Sequence, residues 1–204
     1  MSLVVAAAIA GGVISLFDAV PYIRDTVRGS TRPHRGTWLI WATLSWVALA
    51  SSHADGARWS LLPLAAQALM TSVIVALSIR RGEGGVSRSD RALLLVAAVG
   101  VAGWFAFTDP TLATIAVIVA DVIGAAMMLP KAWRDPSSET PSTFVLSSVV
   151  GLCALVAVGN FNPALVIYPI YYAVANGVIA GVLLYRRPLV ARVTLVVETA
   201  DEAA

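Results

Sequence analysis

Apolar residues fall into seven runs along the chain, separated by short polar stretches. The breaks carry Gly, Pro, Asn, Ser or charged residues, which are typical of turns and loops. Each run is about 20 residues long, the length at which an α-helix crosses the hydrocarbon core of a bilayer. The pattern therefore predicts an all-α membrane protein with seven transmembrane helices, at 3–23, 37–54, 59–79, 92–108, 111–130, 141–159 and 163–185.

Composition favours the same class of protein. Of 204 residues, 58% are apolar and 13% are charged, whereas soluble domains contain about 25% charged residues. Positions 140–185 contain no Asp, Glu, Lys or Arg. The single cysteine, Cys153, excludes an intramolecular disulfide and a cysteine-based metal site. We therefore expect the protein to lie in a lipid bilayer and to bind no metal or cofactor.

Basic residues are unevenly distributed between the two sides of the predicted bundle. Thirteen of the 14 Lys and Arg residues follow the first, third, fifth or seventh run, and Arg58 is the exception. Basic residues accumulate on the cytoplasmic side of membrane proteins, which predicts an external N-terminus and a cytoplasmic C-terminus. This placement accounts for the basic pI without a nucleic-acid partner. The many arginines and alanines suggest a bacterial source, and hence the inner membrane.

The two ends of the sequence repeat one another. Pro21 aligns with Pro130, and the segment 36–49 aligns with 142–155. The repeat predicts a 3+1+3 arrangement, because an odd number of linking helices makes two triple-helix bundles parallel. The prolines would provide hinges at matching positions. The predicted units are a first bundle at 1–81, a linker helix at 82–109, a second bundle at 110–187 and a frayed cytoplasmic tail at 188–204.

Two segments resemble a known family of transporters. "VPYIRDTVRGSTRPHRGTW" (20–38) resembles a PQ-loop motif, with Tyr22 at the glutamine position and Pro130-Lys131 in the second copy. "ANGVIAGVLLYRR" (175–187) is similar to the third helix of SWEET and SemiSWEET repeats, in which an Asn lines the substrate cavity; Asn176 matches it. The resemblance implies two triple-helix bundles that enclose a small polar solute, with a sugar as the first expectation.

Two carboxylates occur within apolar runs. Asp121 lies near the middle of the fifth run, where an ionised side chain is costly unless it faces a cavity or a partner. It is a candidate for substrate binding or proton coupling; the alternative is a protonated structural Asp. Asp18 lies one turn before Pro21 and is a candidate gate that pairs with Arg24 or another loop arginine in the closed state. A fixed interfacial ion pair is the alternative.

Other candidate binding residues are neutral. Gln67 and Asn176 lie in the third helix of each repeat and suit hydroxyl or amide recognition, although intramembrane amides also join helices. Trp41 is a candidate stacking surface, with ordinary packing as the alternative, and Tyr172 lies beside Pro169 on the same predicted path. Trp38 and Trp133 are expected to anchor at the membrane interface.

These features favour a transporter, and no catalytic motif predicts an enzyme. The predicted solute is a sugar, with amino acids, nucleosides or vitamin precursors as alternatives, and protons as a coupling ion. A receptor on the same fold and an assembly protein without a cavity remain as other hypotheses. The pattern is compatible with a homo-oligomer and does not specify an oligomeric state.

Overall fold

The computed structural model describes residues 2–54, 61–85, 87–106, 110–159 and 163–201. Within these ranges the chain is helical, apart from turns and an isolated bridge between His34 and Glu83. The all-α prediction is therefore confirmed for this part of the chain. The helices are α1 (Leu3–Ser15), α2 (Val20–Arg28), α3 (Arg35–Ala54), α4 (Leu61–Arg81), α5 (Arg88–Ala106), α6 (Pro110–Arg134), α7 (Pro141–Ala157) and α8 (Pro163–Asp201), with a short 3-10 helix at Pro136–Ser138.

Three helical segments of the described chain are long and apolar enough to cross a membrane. They are Leu3–Arg28, which comprises α1 and α2, Thr114–Arg134 in α6, and Leu165–Val193 in α8. Large apolar side chains also face outward, such as Ile79 at 70% and Leu95 at 68% exposure. An extended apolar exterior suits contact with lipid. These features agree with a membrane protein, while the count of seven spans stays a prediction.

The first predicted helix is interrupted by a turn at 16–19. Pro21 is the second residue of α2 and has no N–H for a bond to the Phe17 carbonyl. The N–H of Val20 donates to that carbonyl instead, at 3.1 Å. The chain then stays helical to Arg28, beyond the predicted end at position 23. Pro130 lies inside the continuous helix α6, so the two aligned prolines have different local structures.

The last helix is longer than predicted. Helix α8 continues through Pro169 and Pro188 to Asp201. A proline removes one backbone hydrogen bond and bends a helix, and a long helix tolerates this at a kink. The segment predicted as a frayed tail is therefore helical up to Asp201, and 202–204 lie outside the described residues.

Helices of the two halves pack against each other in matching pairs. Helix α7 packs on α1 and α8, and α3 packs on α6 and α4. Within each half, the first and third helical segments also touch: α6 contacts α8, and α2, which continues the first segment after the turn, contacts α4. Helix α5 lies against α6 and α3. The first helix of each half therefore contacts the second helix of the other half.

Basic residues from separate segments meet at one end of the bundle, which we call the basic end. Their side chains donate to backbone carbonyls at helix ends and in loops of neighbouring segments. This convergence agrees with the one-sided distribution of charge in the sequence. The pairs are Arg81 with Thr26, Lys131 with Arg32, Arg35 with Ser78 and Arg187 with Pro136.

Helices α7 and α8 approach most closely at a glycine. A Cβ at Gly151 would lie 2.6 Å from the backbone N and 2.8 Å from the Cα of Ala173. Backbone atoms cannot move aside as a flexible side chain does, so any larger residue must separate the two helices. Gly151 also lines the central cavity, which makes this crossing part of the cavity wall.

We expect Gly151→Ala to lower the melting temperature of the detergent-purified protein. Overpacking of this kind costs about 1–3 kcal/mol. The matched control is Gly181→Ala in the same helix pair, because a Cβ at Gly181 meets nothing within 4 Å. Alanine favours a helix over glycine, so the control should melt at the same or a higher temperature. Equal melting of the two variants would contradict the close crossing.

Candidate functional site

A cavity of about 530 Å³ lies between helices from both halves of the chain. Side chains of α1, α3, α4, α6, α7 and α8 line it, together with Asp18 and Ala19 from the turn that interrupts the first helix. Its volume falls in the range of about 300–1,000 Å³ that is usual for small-molecule sites. The lining is mainly apolar and aromatic, with a small number of polar groups.

The fold brings the predicted binding residues together in this cavity. All five line it, although they come from four different helices, and Asp18 lines it as well. Pro21 and Pro130 are not among the lining residues and lie toward the basic end. The five are Trp41 on α3, Gln67 on α4, Asp121 on α6, and Tyr172 and Asn176 on α8.

Several lining residues were not predicted as part of the site. Ser147 and Thr143 on α7 contribute hydroxyl groups, and small hydroxyl residues in an apolar run give little signal in a sequence.

Trp38 was expected at the membrane interface, but it is 4% exposed and lies in the cavity wall. Trp133 is 49% exposed, and the Arg186 guanidinium lies 4.5 Å from its ring centroid.

Asp18 is held by the opposite half of the chain. Its side chain is 2% exposed, and Oδ2 accepts a 2.9 Å hydrogen bond from Ser147. Arg24 pairs instead with Asp25, its neighbour on the exposed face of α2. The predicted pair between Asp18 and Arg24 is therefore not formed in this conformation, because the two side chains lie on different faces of the broken helix.

Asp121 faces the indole of Trp41 across the contact between α6 and α3. The carboxyl is 7% exposed, and the indole N–H beside it completes no hydrogen bond. A Cβ at Gly124, one turn further along α6, would lie 2.9 Å from Nε1 of Trp41. The glycine thus allows the ring to lie against α6.

The position of Trp41 is set by a contact one turn earlier in α3. Thr37 donates from Oγ1 to the Gly124 carbonyl at 2.7 Å, and its backbone N–H donates to Nδ1 of His34 at 3.3 Å. These bonds fix α3 against α6 near Asp121. His34 is 6% exposed, and Nδ1 must be unprotonated to accept from Thr37.

Unpartnered polar atoms are concentrated in the cavity wall. Buried polar groups in proteins are nearly always hydrogen-bonded, so atoms without a partner on the protein point to water or a ligand. In the part of the chain that the structure describes, four buried side-chain atoms have no partner, and all four belong to lining residues. They are Oδ1 of Asp18, Nε1 of Trp41, Oγ1 of Thr143 and the hydroxyl of Tyr171.

Aromatic rings separate the cavity from the basic end. Tyr22 is fully buried, and its ring centroid lies 4.5 Å from that of Trp38 and 6.2 Å from that of Phe144. The indole N–H of Trp38 donates to the Tyr22 hydroxyl at 2.9 Å. That hydroxyl in turn donates to Oε2 of Glu139 at 2.7 Å.

Glu139 joins the two halves of the chain at this end. Its side chain is fully buried, and Lys131 donates to its second carboxylate oxygen. Burial raises the pKa of Glu139, and the neighbouring Lys131 ammonium acts in the opposite direction. Tyr22 follows Pro21 and Lys131 follows Pro130, so the equivalent positions of both repeats bind one carboxylate. We call Tyr22, Lys131 and Glu139 the basic-end seal.

No family model matches the chain, and neither does a curated protein or a solved structure. Among the described residues, no group of three or more His, Cys, Asp or Glu side chains is arranged to hold a metal ion. The structure itself offers two features that bear on function, the cavity and the basic-end seal.

We expect acid to destabilise the protein through His34. Burial lowers the pKa of His34 from its ordinary value of 6.5, with Lys131 and Arg35 acting in the same direction and Asp90 and Glu83 opposing them. The unfolded chain then binds the proton more tightly, so this contribution to stability is lost as pH falls below 6.5 through the lowered pKa. His34→Gln should remove that loss.

The measurement is the melting temperature between about pH 7.5 and about pH 5, a range that spans the ordinary titration of histidine. His53→Gln is the matched control, because His53 is exposed near the far end of α3, the helix that begins directly after His34. The pKa of Glu139 is raised, so its protonation makes the folded protein more stable as pH falls, opposite to His34. The quantity to compare is therefore the difference in melting temperature between each variant and wild type at each pH. An unchanged pH profile in His34→Gln would refute the role of His34.

Proposed function

We propose that this chain is a membrane transporter that moves a small polar solute by alternating access between two triple-helix bundles. Helices α1 to α4 form the first bundle, α6 to α8 form the second, and α5 links them. One observation carries the proposal: both halves supply unpartnered polar atoms to one cavity. Asp18 and Trp41 come from the first half, and Thr143 and Tyr171 from the second.

Matching contacts across the two halves support a pair of related bundles. Trp41 and Ser147 occupy equivalent positions in the repeat, and each contacts a carboxyl of the opposite half: Asp121 and Asp18, respectively. The helix packing follows the same pattern: the first helix of each half packs on the second helix of the other half, α1 on α7 and α6 on α3. A pseudo-twofold axis between the bundles accounts for both features.

The basic-end seal supports gating at that end. Its contacts are one hydrogen bond and one ion pair to a single carboxylate, and such contacts can break without disturbing the interior of either bundle. The turn at 16–19 interrupts the first helix shortly before Tyr22 and offers a position for a hinge. Loss of the seal would let the bundles rock apart and connect the cavity with the basic end.

The proposal places seven spans in a bacterial inner membrane, with the N-terminus outside and the basic end in the cytoplasm. The resemblance to PQ-loop and SWEET transporters favours a sugar, with proton-coupled amino-acid, nucleoside or vitamin transport as alternatives. A receptor for an acidic ligand would need basic side chains in the cavity, and the described lining has no Lys, Arg or His. An assembly protein has no need for a polar cavity.

We expect reconstituted protein to take up a labelled solute from a panel of sugars, amino acids, nucleosides and organic cations. A proton gradient should stimulate uptake, and Asp121→Asn should remove the stimulation, because an amide cannot exchange a proton at neutral pH. Asp90→Asn is the charge-matched control; Asp90 accepts bonds from Gly85 and Ser87 outside the cavity. The other titratable groups in the lining are Asp18, Tyr168, Tyr171 and Tyr172.

Gradient-dependent uptake that survives in Asp121→Asn would remove Asp121 from proton coupling and leave transport intact. If the reconstituted protein is folded, as shown by its melting temperature, and takes up none of the solutes, the transporter proposal itself is contradicted.

Opening of the seal can be measured with a thiol reagent. We expect Glu139→Gln to increase the rate at which a membrane-impermeant reagent, applied from the basic end, reaches a cysteine at position 125. Ala125 lines the cavity, and Cys153→Ala removes the native thiol. Loss of the ionic bond to Lys131 should raise labelling by about tenfold, equivalent to about 1.4 kcal/mol. Labelling equal to that of Asp90→Asn would contradict a gate at Glu139.

A further inference from the structure

We infer that the solute of this cavity is an organic ammonium cation. The inference rests on the proposed transport function and adds the chemical class of the solute. Three properties of the cavity carry it: two carboxyl groups without a cationic partner, a lining rich in aromatic rings, and unpartnered acceptors from both halves.

The charge of the cavity is acidic. Asp18 is 2% exposed and Asp121 is 7% exposed, and the described lining contains no Lys, Arg or His. All ion pairs in the described residues lie at the basic end, on Asp25, Glu83, Asp135 and Glu139. Buried carboxylates are strongly disfavoured without a cation or hydrogen bonds. A cationic solute supplies the missing charge.

The aromatic lining suits a cation with an apolar surface. The faces of aromatic rings attract ammonium groups, and cages of such rings bind quaternary ammonium ligands. The centroids of Trp38 and Trp41 are 5.2 Å apart, and the rings of Tyr168 and Tyr172 stack at 5.9 Å. Tyr172 lines the same cavity as both carboxyl groups. The six aromatic lining residues are Trp38, Trp41, Phe144, Tyr168, Tyr171 and Tyr172.

Other solute classes fit the same wall less well. An anion would meet two carboxyl groups and no basic side chain. A zwitterionic amino acid would place its own carboxylate in the same surroundings, without a cationic partner. A neutral sugar would leave Asp18 and Asp121 uncompensated unless both were protonated, whereas an ammonium group compensates charge and uses the aromatic faces together.

The first test compares two ligands of the same shape. Choline and its uncharged carbon isostere, dimethylbutanol, are titrated into detergent-purified wild-type protein by calorimetry, with glucose as a neutral polyol. We expect choline to bind at least about tenfold more tightly than either neutral compound. Equal affinity for choline and its isostere, or tighter binding of glucose, would overturn the inference. This comparison needs no variant that must fold.

The second test removes each negative charge with little change of shape. Asp121→Asn and Asp18→Asn should each weaken choline binding by about tenfold or more, while binding of the uncharged isostere should change little. Asp90→Asn, outside the cavity, should bind choline as wild type does. Unchanged choline affinity in both cavity variants would overturn the assignment of the site.

Uptake by proteoliposomes separates this inference from the proposed function. Uptake of choline that exceeds uptake of glucose would support both. Uptake of glucose alone would support transport and overturn the cation class. Choline binding without uptake would support the cation class and contradict transport, and neither binding nor uptake of choline or glucose would overturn both.

Discussion

The buried carboxylate of Glu139 is the interaction on which the arrangement of the two halves depends at the basic end. Tyr22 binds one of its oxygens from the first half and Lys131 binds the other from the second. Removing one partner of a buried ion pair is generally destabilising, because the remaining charge loses compensation. The same carboxylate therefore binds both halves, alongside the contacts of Thr31 with Thr140 and of Arg32 with Asp135.

Buried aromatic rings next to Glu139 bound the cavity on the side of the basic end. Tyr22, Trp38 and Phe144 are all at most 4% exposed and exclude water from that direction. On the cavity side of these rings, the helix backbones form their own hydrogen bonds. Some polar side chains of the lining face open space and have no hydrogen-bond partner on the protein. The result is a mainly apolar cavity with a few unpartnered polar groups, enclosed by helices that carry many exposed apolar side chains. Such a cavity would suit the proposed carriage of a polar solute through lipid.

Much of this organisation follows from local properties of the sequence. A run of about 20 apolar residues predicts a membrane helix whatever its neighbours are. A carboxyl or amide group within such a run is expected to face the interior of the bundle and not the lipid. Asp121, Gln67 and Asn176 could therefore be placed at an interior site before the structure was known. Their convergence on one cavity required only that helices from both halves pack around a common space.

The remaining features depend on contacts between distant residues. Asp18 bonds Ser147, 129 positions away, and no spacing rule connects them. The burial of Trp38 depends on Tyr22 and Glu139, which lie in different segments. The extension of α8 beyond Pro188 could not be predicted from the proline alone, since proline ends some helices and bends others.

The repeat also explains why the chemistry of the cavity is asymmetric. The repeat partner of Asp121 is Gly12, and the partner of Asp18 is Met127, so neither carboxyl has a symmetric counterpart. Met127 does not line the cavity and is buried in an apolar cluster with Ile40. Each half thus contributes one carboxyl from a non-equivalent position, and the two acidic groups differ in neighbours: a serine hydroxyl for Asp18 and an indole for Asp121. An ammonium solute of the kind inferred above would therefore meet two unlike partners within one cavity.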